Sequence, residues 1–434
     1  MRFLNSKLLV YALISFLIIG IFSCRKPITI TNVEIIGPTT VCYGDTGVTY
    51  SVAPNPDPQS NDYILWSLPE QAQITSGHGT NTIKVDFGRN AGKIGVKYYS
   101  DGEEISEESF LDVNFDVQNK WCRELDFKAG IRTDGVGFSI GNKAYIGTGL
   151  GYIGVVKYYD DFWEFDPELK IWTQKADLGG NGANLNLGMQ RANAVGFSIG
   201  NKGYIGTGHK SSGVNPDQYL KDFWEYNPVS NAWLRKADCG GTTRQFGVGF
   251  SIGNKGYVGS GQPENTGILT DFYEYDPITD VWTQKTDLPV PRFSGVGFSI
   301  GNKGYFGMGT NGSVRQNDFF EFDPTDASLG LDVNGNPLGK WIAKTSVPSP
   351  GCTGSVGFSI ENKGYIGTGF SGVYLKGFYE YDPSLDNWIA MPDFEGGIRA
   401  SSIGFSIGNK GYIGTGVTQT SILNGLKDFW VYTK

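Results

Sequence analysis

Nearly the same thirteen residues are written six times along this chain. The first copy, GFSIGNKAYIGTG, occupies residues 137–149, and the later copies begin at Gly196, Gly249, Gly297, Gly357 and Gly404. The starts are therefore 59, 53, 48, 60 and 47 residues apart. Within each copy FSI and YIG alternate as strands do, with a short Gly-Asn-Lys turn between them. Asn142, Asn201, Asn254, Asn302, Asn362 and Asn409 stand in that turn, where asparagine tolerates left-handed backbone. A unit of this size cannot bury both faces of its own sheet. Repetition at such a period predicts stacked units, each covering its neighbour.

Two further landmarks recur. DFWEFDP from Asp161 returns as DFWEYNP, DFYEYDP, DFFEFDP, GFYEYDP and DFWVYTK, starting at Asp222, Asp271, Asp318, Gly377 and Asp428. A tryptophan strand is marked by Trp121, Trp172, Trp233, Trp282, Trp341 and Trp388. Hairpin, third strand and tryptophan strand make four strands per unit, the content of a propeller blade. The landmarks resemble kelch repeats: an arginine, a hydrophobic hairpin ending in glycines, then Tyr-Asp-Pro, then Trp. The resemblance covers residues 119–434 and implies a kelch-type β-propeller. It departs at Gly147-Thr148-Gly149, where one residue separates glycines that kelch blades place side by side. The array opens with a tryptophan strand and ends without one. Six blades result if residues 119–127 complete the last of them and remove the exposed edges.

Residues 29–118 hold no copy of the repeat. VTYSV, YILWSL, NTIKVDF and KIGVKYY are short alternating strands separated by turn-rich stretches, which predicts a β-sandwich. IGPTTVCYGDTGVTYSV, the Trp66 strand and GTNTIKVDFG resemble the PKD-like, immunoglobulin-type modules of exported Bacteroidetes proteins, and such modules are spacers or binding accessories. The fold class is thus all-β throughout: a β-sandwich followed by a six-bladed propeller. Ahead of it, Arg2 and Lys7 precede an apolar run over Leu8–Phe22 and then Ser23 and Cys24, an export signal. A cysteine closing such a segment resembles a bacterial lipoprotein signal. That implies cleavage after residue 23, a lipidated Cys24, a short linker over 24–28, and anchorage of the protein at the outer membrane, facing the periplasm or the outside. Arg25-Lys26-Pro27 lacks an acidic stretch, which favours the periplasmic face.

Much chemistry is excluded. A net charge of −8 argues against a nucleic-acid partner. Cys42, Cys122, Cys239 and Cys352 lie far apart without metal or redox spacing and are expected to be buried thiols. The two histidines, His78 in a turn and His209 in a loop, cannot supply a copper cluster. No cofactor or metal is expected. Asp332-Val333-Asn334-Gly335-Asn336 opens like a calcium loop but lacks its remaining ligands, so a hairpin turn is the simpler reading.

One constellation remains. Six residues before each hairpin phenylalanine stands Arg132, Arg191, Arg244, Arg292 or Arg399, with Cys352 in the fifth unit. If the first strand of each blade lines the channel, these residues ring one mouth. Such a ring either clamps a carboxylate or pairs with carboxylates and carbonyls of the blades. Kelch propellers that bind acidic ligands do so with arginines here, so the resemblance adds weight to the first role. The loops that follow the hairpins vary while the strands do not, and Tyr152, Tyr158, Tyr159 and Tyr374 in them are available for stacking on a sugar or peptide.

The leading functional reading is a non-catalytic, envelope-anchored protein that presents the propeller to an acidic glycan or a protein ligand. The alternative resembles the bacterial sialate mutarotases, which are exported six-bladed kelch propellers. That likeness implies arginines on the sugar carboxylate and a carboxylate moving protons. Glu164, Glu225, Glu274, Glu321 and Glu380 occupy one repeated position, which marks architecture and leaves the acid/base unassigned. A structural surface or matrix component is the third possibility.

Overall fold

The computed structural model describes residues 30, 33–42, 45, 47–53, 62–87, 92–115, 119–181, 188–211, 217–265, 267–419 and 425–434. The export segment, Cys24 and the linker to residue 28 lie outside them, as do parts of three variable loops. No helix among the described residues is long and apolar enough to cross a membrane. The chain divides into two compact units, Met1–Asp116 and Val117–Lys434.

The first unit is a two-sheet sandwich. One sheet runs in the order Glu34–Ile36, Val48–Ala53, Thr82–Asp86, Gln73–Ser76; the other in the order Thr40–Val41, Ser109–Phe115, Gly92–Ser100, Tyr63–Ser67. Strand alternation fills the space between them with Tyr50, Ile83, Val85, Ile94 and Val96, while intervening residues face outward. Trp66 is buried there, and its indole N–H donates to Thr80 O at 3.0 Å.

The second unit contains six four-stranded antiparallel sheets, the blades of a propeller. Blade one comprises Val136–Ile140, Lys143–Gly147, Phe162–Asp166 and Ile171–Lys175. The next four repeat that order with strands consecutive in sequence. Blade six does not: Ile403–Ile407, Lys410–Gly414 and Phe429–Thr433 are completed by Lys120–Glu124, paired from Lys120↔Thr433 to Glu124↔Phe429. The ring is closed by the two ends of the same unit.

The hairpin turn differs from the sequence-based expectation. Asn142 and its equivalents are not the left-handed residues. The preceding glycine is, with φ near +60° at Gly141, Gly200, Gly253, Gly301 and Gly408. Register Ile140↔Lys143 leaves a two-residue loop, and glycine first in that loop is the pattern of a type II′ hairpin. Blade five puts Glu361 there at φ +54°, at a cost in backbone strain.

Blade faces interlock through aromatic rings. Phe162 of blade one meets Tyr226 and Trp233 of blade two edge-on, with centroids 4.8 and 4.9 Å apart. The same pairing recurs around the ring, through Phe378 against Trp121 at 4.9 Å, and closes with Phe429 of blade six against Trp172 of blade one at 5.5 Å. The indole N–H of each later tryptophan also donates to a carbonyl of the preceding blade, as Trp233 does to Ala176 O at 2.9 Å. The glycines repeat so faithfully because neighbouring blades approach this closely. A Cβ on Gly203 would stand 2.4 Å from the Phe138 ring.

The charges that flank the third and fourth strands differ from blade to blade. In blades five and six a lysine before the third strand pairs with an aspartate after the fourth, Lys376–Asp393 at 3.1 Å and Lys427–Asp126 at 3.6 Å. Blade one places Asp160 and Asp177 at those positions. One carboxylate oxygen of Asp160 is buried without a hydrogen-bond partner. Burial first, and the Asp160 charge second, push Asp177 up to about 6. A carboxyl raised in the folded state costs stability as pH rises from its unfolded value near 4 toward 6, and the cost is complete at pH 7. Asp160→Asn is therefore expected to raise the melting temperature at pH 7.5 by roughly 2–3 °C, on the order of 1 kcal/mol, and to change it little at pH 4. Melts at the two pH values test this, and an equal effect at both would remove the carboxylate pair as its cause.

The cysteines divide. Cys239 and Cys352 are buried free thiols, whereas Cys42 and Cys122 are disulfide-bonded, so the expectation of four thiols holds for two.

Candidate functional site

Two closed rings of backbone hydrogen bonds surround the propeller axis. In the first, the glycine ending each hairpin donates to the carbonyl at the arginine position of the next blade. This runs from Gly149 N to Arg191 O at 2.7 Å around to Gly416 N to Arg132 O at 2.8 Å. In the second, two residues further along the chain, Asn193 N donates to Asp134 O, Phe246 N to Asn193 O, Ser294 N to Phe246 O, Gly354 N to Ser294 O, Ser401 N to Gly354 O and Asp134 N to Ser401 O, over 2.8–3.4 Å. All six residues of this collar have φ between 54° and 64°. A ring of amides satisfied by one another is rigid, and it leaves six side chains free to differ.

The collar forms the wall of a funnel with a cavity of about 440 Å³, lined also by Thr353, Phe370, Tyr374, Ala400 and Val417. Below it a narrower channel of about 160 Å³ runs between the first strands, walled by their Gly-Val-Gly and equivalent segments. The funnel has the volume of a small-ligand site.

The five arginines do not form its surface, which corrects the ring of anion-binding guanidiniums expected from sequence. Arg132, Arg191, Arg244, Arg292 and Arg399 are 0–1% exposed and none lines the cavity. Each holds the aspartate that opens the third strand of its own blade through both terminal nitrogens: Asp161, Asp222, Asp271, Asp318 and Asp428. For Arg191 the two contacts are 2.6 and 2.7 Å. Each also donates to the carbonyl sixteen residues on, such as Thr148 O at 2.9 Å. Both terminal nitrogens are engaged from within, and Nε of Arg132, Arg244, Arg292 and Arg399 is buried without a partner, out of reach of a ligand, so the geometry carries the architectural role. Blade five confirms the coupling by losing both partners at once, with Cys352 for arginine and Gly377 for aspartate.

The repeated glutamates are likewise committed. Tyr145 donates to Glu164 at 2.7 Å and Lys143 pairs with it at 2.9 Å, and Tyr204–Glu225, Tyr257–Glu274, Tyr305–Glu321 and Tyr365–Glu380 repeat the bond. The calcium-like loop holds a lysine: Asp332 pairs with the buried Lys285 at 2.7 Å and accepts from the amides of Asn334 and Asn336. No cluster of His, Cys, Asp or Glu among the described residues is arranged for a metal. His78 is an exposed turn residue bonded to Ile74 O.

What faces the funnel is unequal around the axis. Asp134 is half-buried at its wall and takes the Thr133 hydroxyl at 2.9 Å. Burial raises its carboxyl above the ordinary range, and hydrogen bonds from Ser401 and Thr133 oppose that only in part. Beside it, Asn193 Nδ2 donates to Nδ1 of His209 at 3.3 Å, and Nε2 of that ring meets the Tyr158 hydroxyl at 2.9 Å. Burial lowers His209, which keeps the imidazole neutral near pH 7. Short extra hairpins on blades one and two, Leu150–Tyr152 with Val156–Tyr158 and His209–Lys210 with Gln218–Tyr219, build this polar side. Of the other loop tyrosines, Tyr159 covers Arg132 at 4.2 Å, Tyr152 is partly buried in its hairpin, and Tyr374 lines the funnel.

Arg315 is the exception among the described arginines. Arg123 and Arg235 pair with aspartates, as the five buried ones do, but Arg315 has no carboxylate partner among the described residues. It is exposed and lies 4.9 Å over the ring of Phe370, a funnel residue. Sequence reasoning missed Arg315, Asp134 and the whole collar. The collar's signal is variation: two residues after the arginine position and two before the Val/Ile-Gly-Phe of each hairpin stand Asp134, Asn193, Phe246, Ser294, Gly354 and Ser401.

Fold and funnel together define a six-bladed β-propeller with a ligand-sized axial cavity, following a β-sandwich in the chain. Residues 28–111 match the PKD-like domain family model. A stretch of 131 residues is 30% identical to N-acetylneuraminate epimerase of Pasteurella multocida (strain Pm70), and covers 30% of this chain and 30% of that protein. The solved structure of YjhT superposes with a TM-score of 0.58 at 18% identity, over 70% of this chain and 95% of that one, a likeness of fold.

Proposed function

We propose that the propeller is a sialate mutarotase-like enzyme, whose funnel takes an acidic monosaccharide such as N-acetylneuraminate and speeds the exchange of its anomers. This reverses the order of the two readings drawn from sequence. The similarity to N-acetylneuraminate epimerase supports the substrate class. The observation that carries the chemistry is Asp134, a carboxyl raised by burial at the wall of a monosaccharide-sized cavity.

Anomer exchange opens a cyclic hemiketal and closes it on the other face. The proton of the anomeric hydroxyl must leave while the ring oxygen gains one, and closure reverses both transfers. Raising a carboxyl's pKa brings it closer to the working pH and so suits it better to proton exchange. Arg315, over the funnel residue Phe370 and without a carboxylate partner among the described residues, would hold the sugar carboxylate in the bidentate manner of a guanidinium. Asn193, steadied by the neutral His209, offers its amide to the hydroxyls.

Proton NMR of a freshly dissolved single anomer tests the reading. The wild type is expected to shorten equilibration well below the time seen in buffer, and Asp134→Asn to slow the enzymatic rate by roughly 10²–10⁴-fold. A wild type that binds the sugar without accelerating exchange would return the protein to the non-catalytic class.

A further inference from the structure

Five of the six collar residues suit the left-handed backbone they adopt: Asp134, Asn193, Ser294, Gly354 and Ser401 are short, polar or glycine. Phe246, at φ +55°, is not. A bulky aromatic residue in this region is strained, and strain that persists marks a place where the side chain is needed. Architecture does not ask for it. Ser294 and Ser401 hold the equivalent position with the ring of amides intact.

The Phe246 side chain is half-buried and lines the funnel. Its ring lies 5.9 Å from that of Phe293, and Phe370 and Tyr374 continue the wall with centroids 4.9 Å apart. Blades three to five thus give the cavity an aromatic arc, broken by the hydroxyls of Ser294 and Thr353 and met by Arg315 over Phe370. Blades six, one and two give it the polar arc of Ser401, Asp134 and Asn193. A ligand seated between them needs hydroxyls on one side and an apolar appendage on the other.

We propose that the Phe246 arc is an acyl-recognition subsite, through which the funnel selects N-acylated acidic sugars over counterparts that carry a hydroxyl in place of the acylamino group. This rests on the acidic-sugar reading above. The methyl of an acetamido group gains from leaving water against the phenyl ring. A hydroxyl placed against that ring loses hydrogen bonds to water that the ring does not replace.

Isothermal titration of the full chain with N-acetylneuraminate and with its hydroxyl counterpart is the test. The wild type is expected to prefer the acetylated sugar by roughly 10–100-fold. Phe246→Ser, which installs the residue of blades four and six, is expected to bring that preference close to unity, chiefly by weakening the acetylated sugar, with no loss of melting temperature. Phe246→Asn, which installs the residue of blade two, gives a second variant should the first fold poorly. A wild type that binds both sugars equally, or a variant that keeps the preference, overturns the subsite while the acidic-sugar reading stands. A wild type that binds neither sugar overturns that reading, and the subsite with it.

Discussion

Arg191→Ala will destabilise the propeller rather than empty a binding site. The guanidinium is 1% exposed and is held by both oxygens of Asp222, so its removal strands a largely buried carboxylate. Breaking such a pair costs about 3–5 kcal/mol. In a unit of this size that lowers the melting temperature by on the order of 10 °C. Blade five supplies the control. Arg191→Cys combined with Asp222→Gly reproduces its natural pair, Cys352 and Gly377, and should cost less than Arg191→Cys alone, because no carboxylate is left unpaired. The pH dependence has a definite sign. Burial works against ionisation of Asp222 and Asp428, yet Arg191 and Arg399 hold both carboxyls below their usual range. Stability from these pairs is therefore complete above the unfolded carboxyl pKa near 4 and is lost as pH falls through the lower folded values. An Arg191→Ala protein with unchanged melting and abolished binding of acidic sugars would restore the guanidinium ring as the ligand site.

Trp121→Ala should be nearly as damaging, although the residue sits 308 positions ahead of Phe429, where its partner strand begins. Trp121 is 1% exposed, with ring centroids 4.9 Å from Phe378, 4.7 Å from Phe394 and 5.3 Å from Tyr432. Truncating a buried tryptophan costs about 3–5 kcal/mol, and here it also loosens the strand that closes the ring. Deleting residues 119–124 should do more, because Phe429–Thr433 then presents an unpaired edge. Thermal melts and sedimentation of the two variants would show lower stability and self-association. A monomer with wild-type melting after the deletion would mean that blade six does not depend on this strand.

The blades were legible in the sequence because each solves one local problem. FSI and YIG alternate, glycines sit where neighbouring blades approach, and a tryptophan recurs where the next blade needs a ring. Even the closure follows from counting, since one tryptophan strand stands ahead of the first hairpin. The site was not legible in the same way. Repetition drew the eye to Arg132 and its equivalents, and the repeated residues proved to be scaffold, each held by an aspartate 26–31 residues away in the chain. The hairpin turn shows the same limit on a smaller scale: asparagine and glycine stand side by side, and only the backbone reveals that the glycine takes the left-handed conformation.

Sequence alone therefore determined the sandwich, the six blades and their order, because strand period, turn chemistry and aromatic spacing act within a few residues of one another. Tertiary structure decided which side chains reach the axis. Asp134, Asn193, Phe246 and Ser401 come from four blades and share a position in the repeat but no residue type. They meet only because a closed ring of amides turns each of them into the same funnel, where burial raises one carboxyl and strain holds one phenyl ring in place.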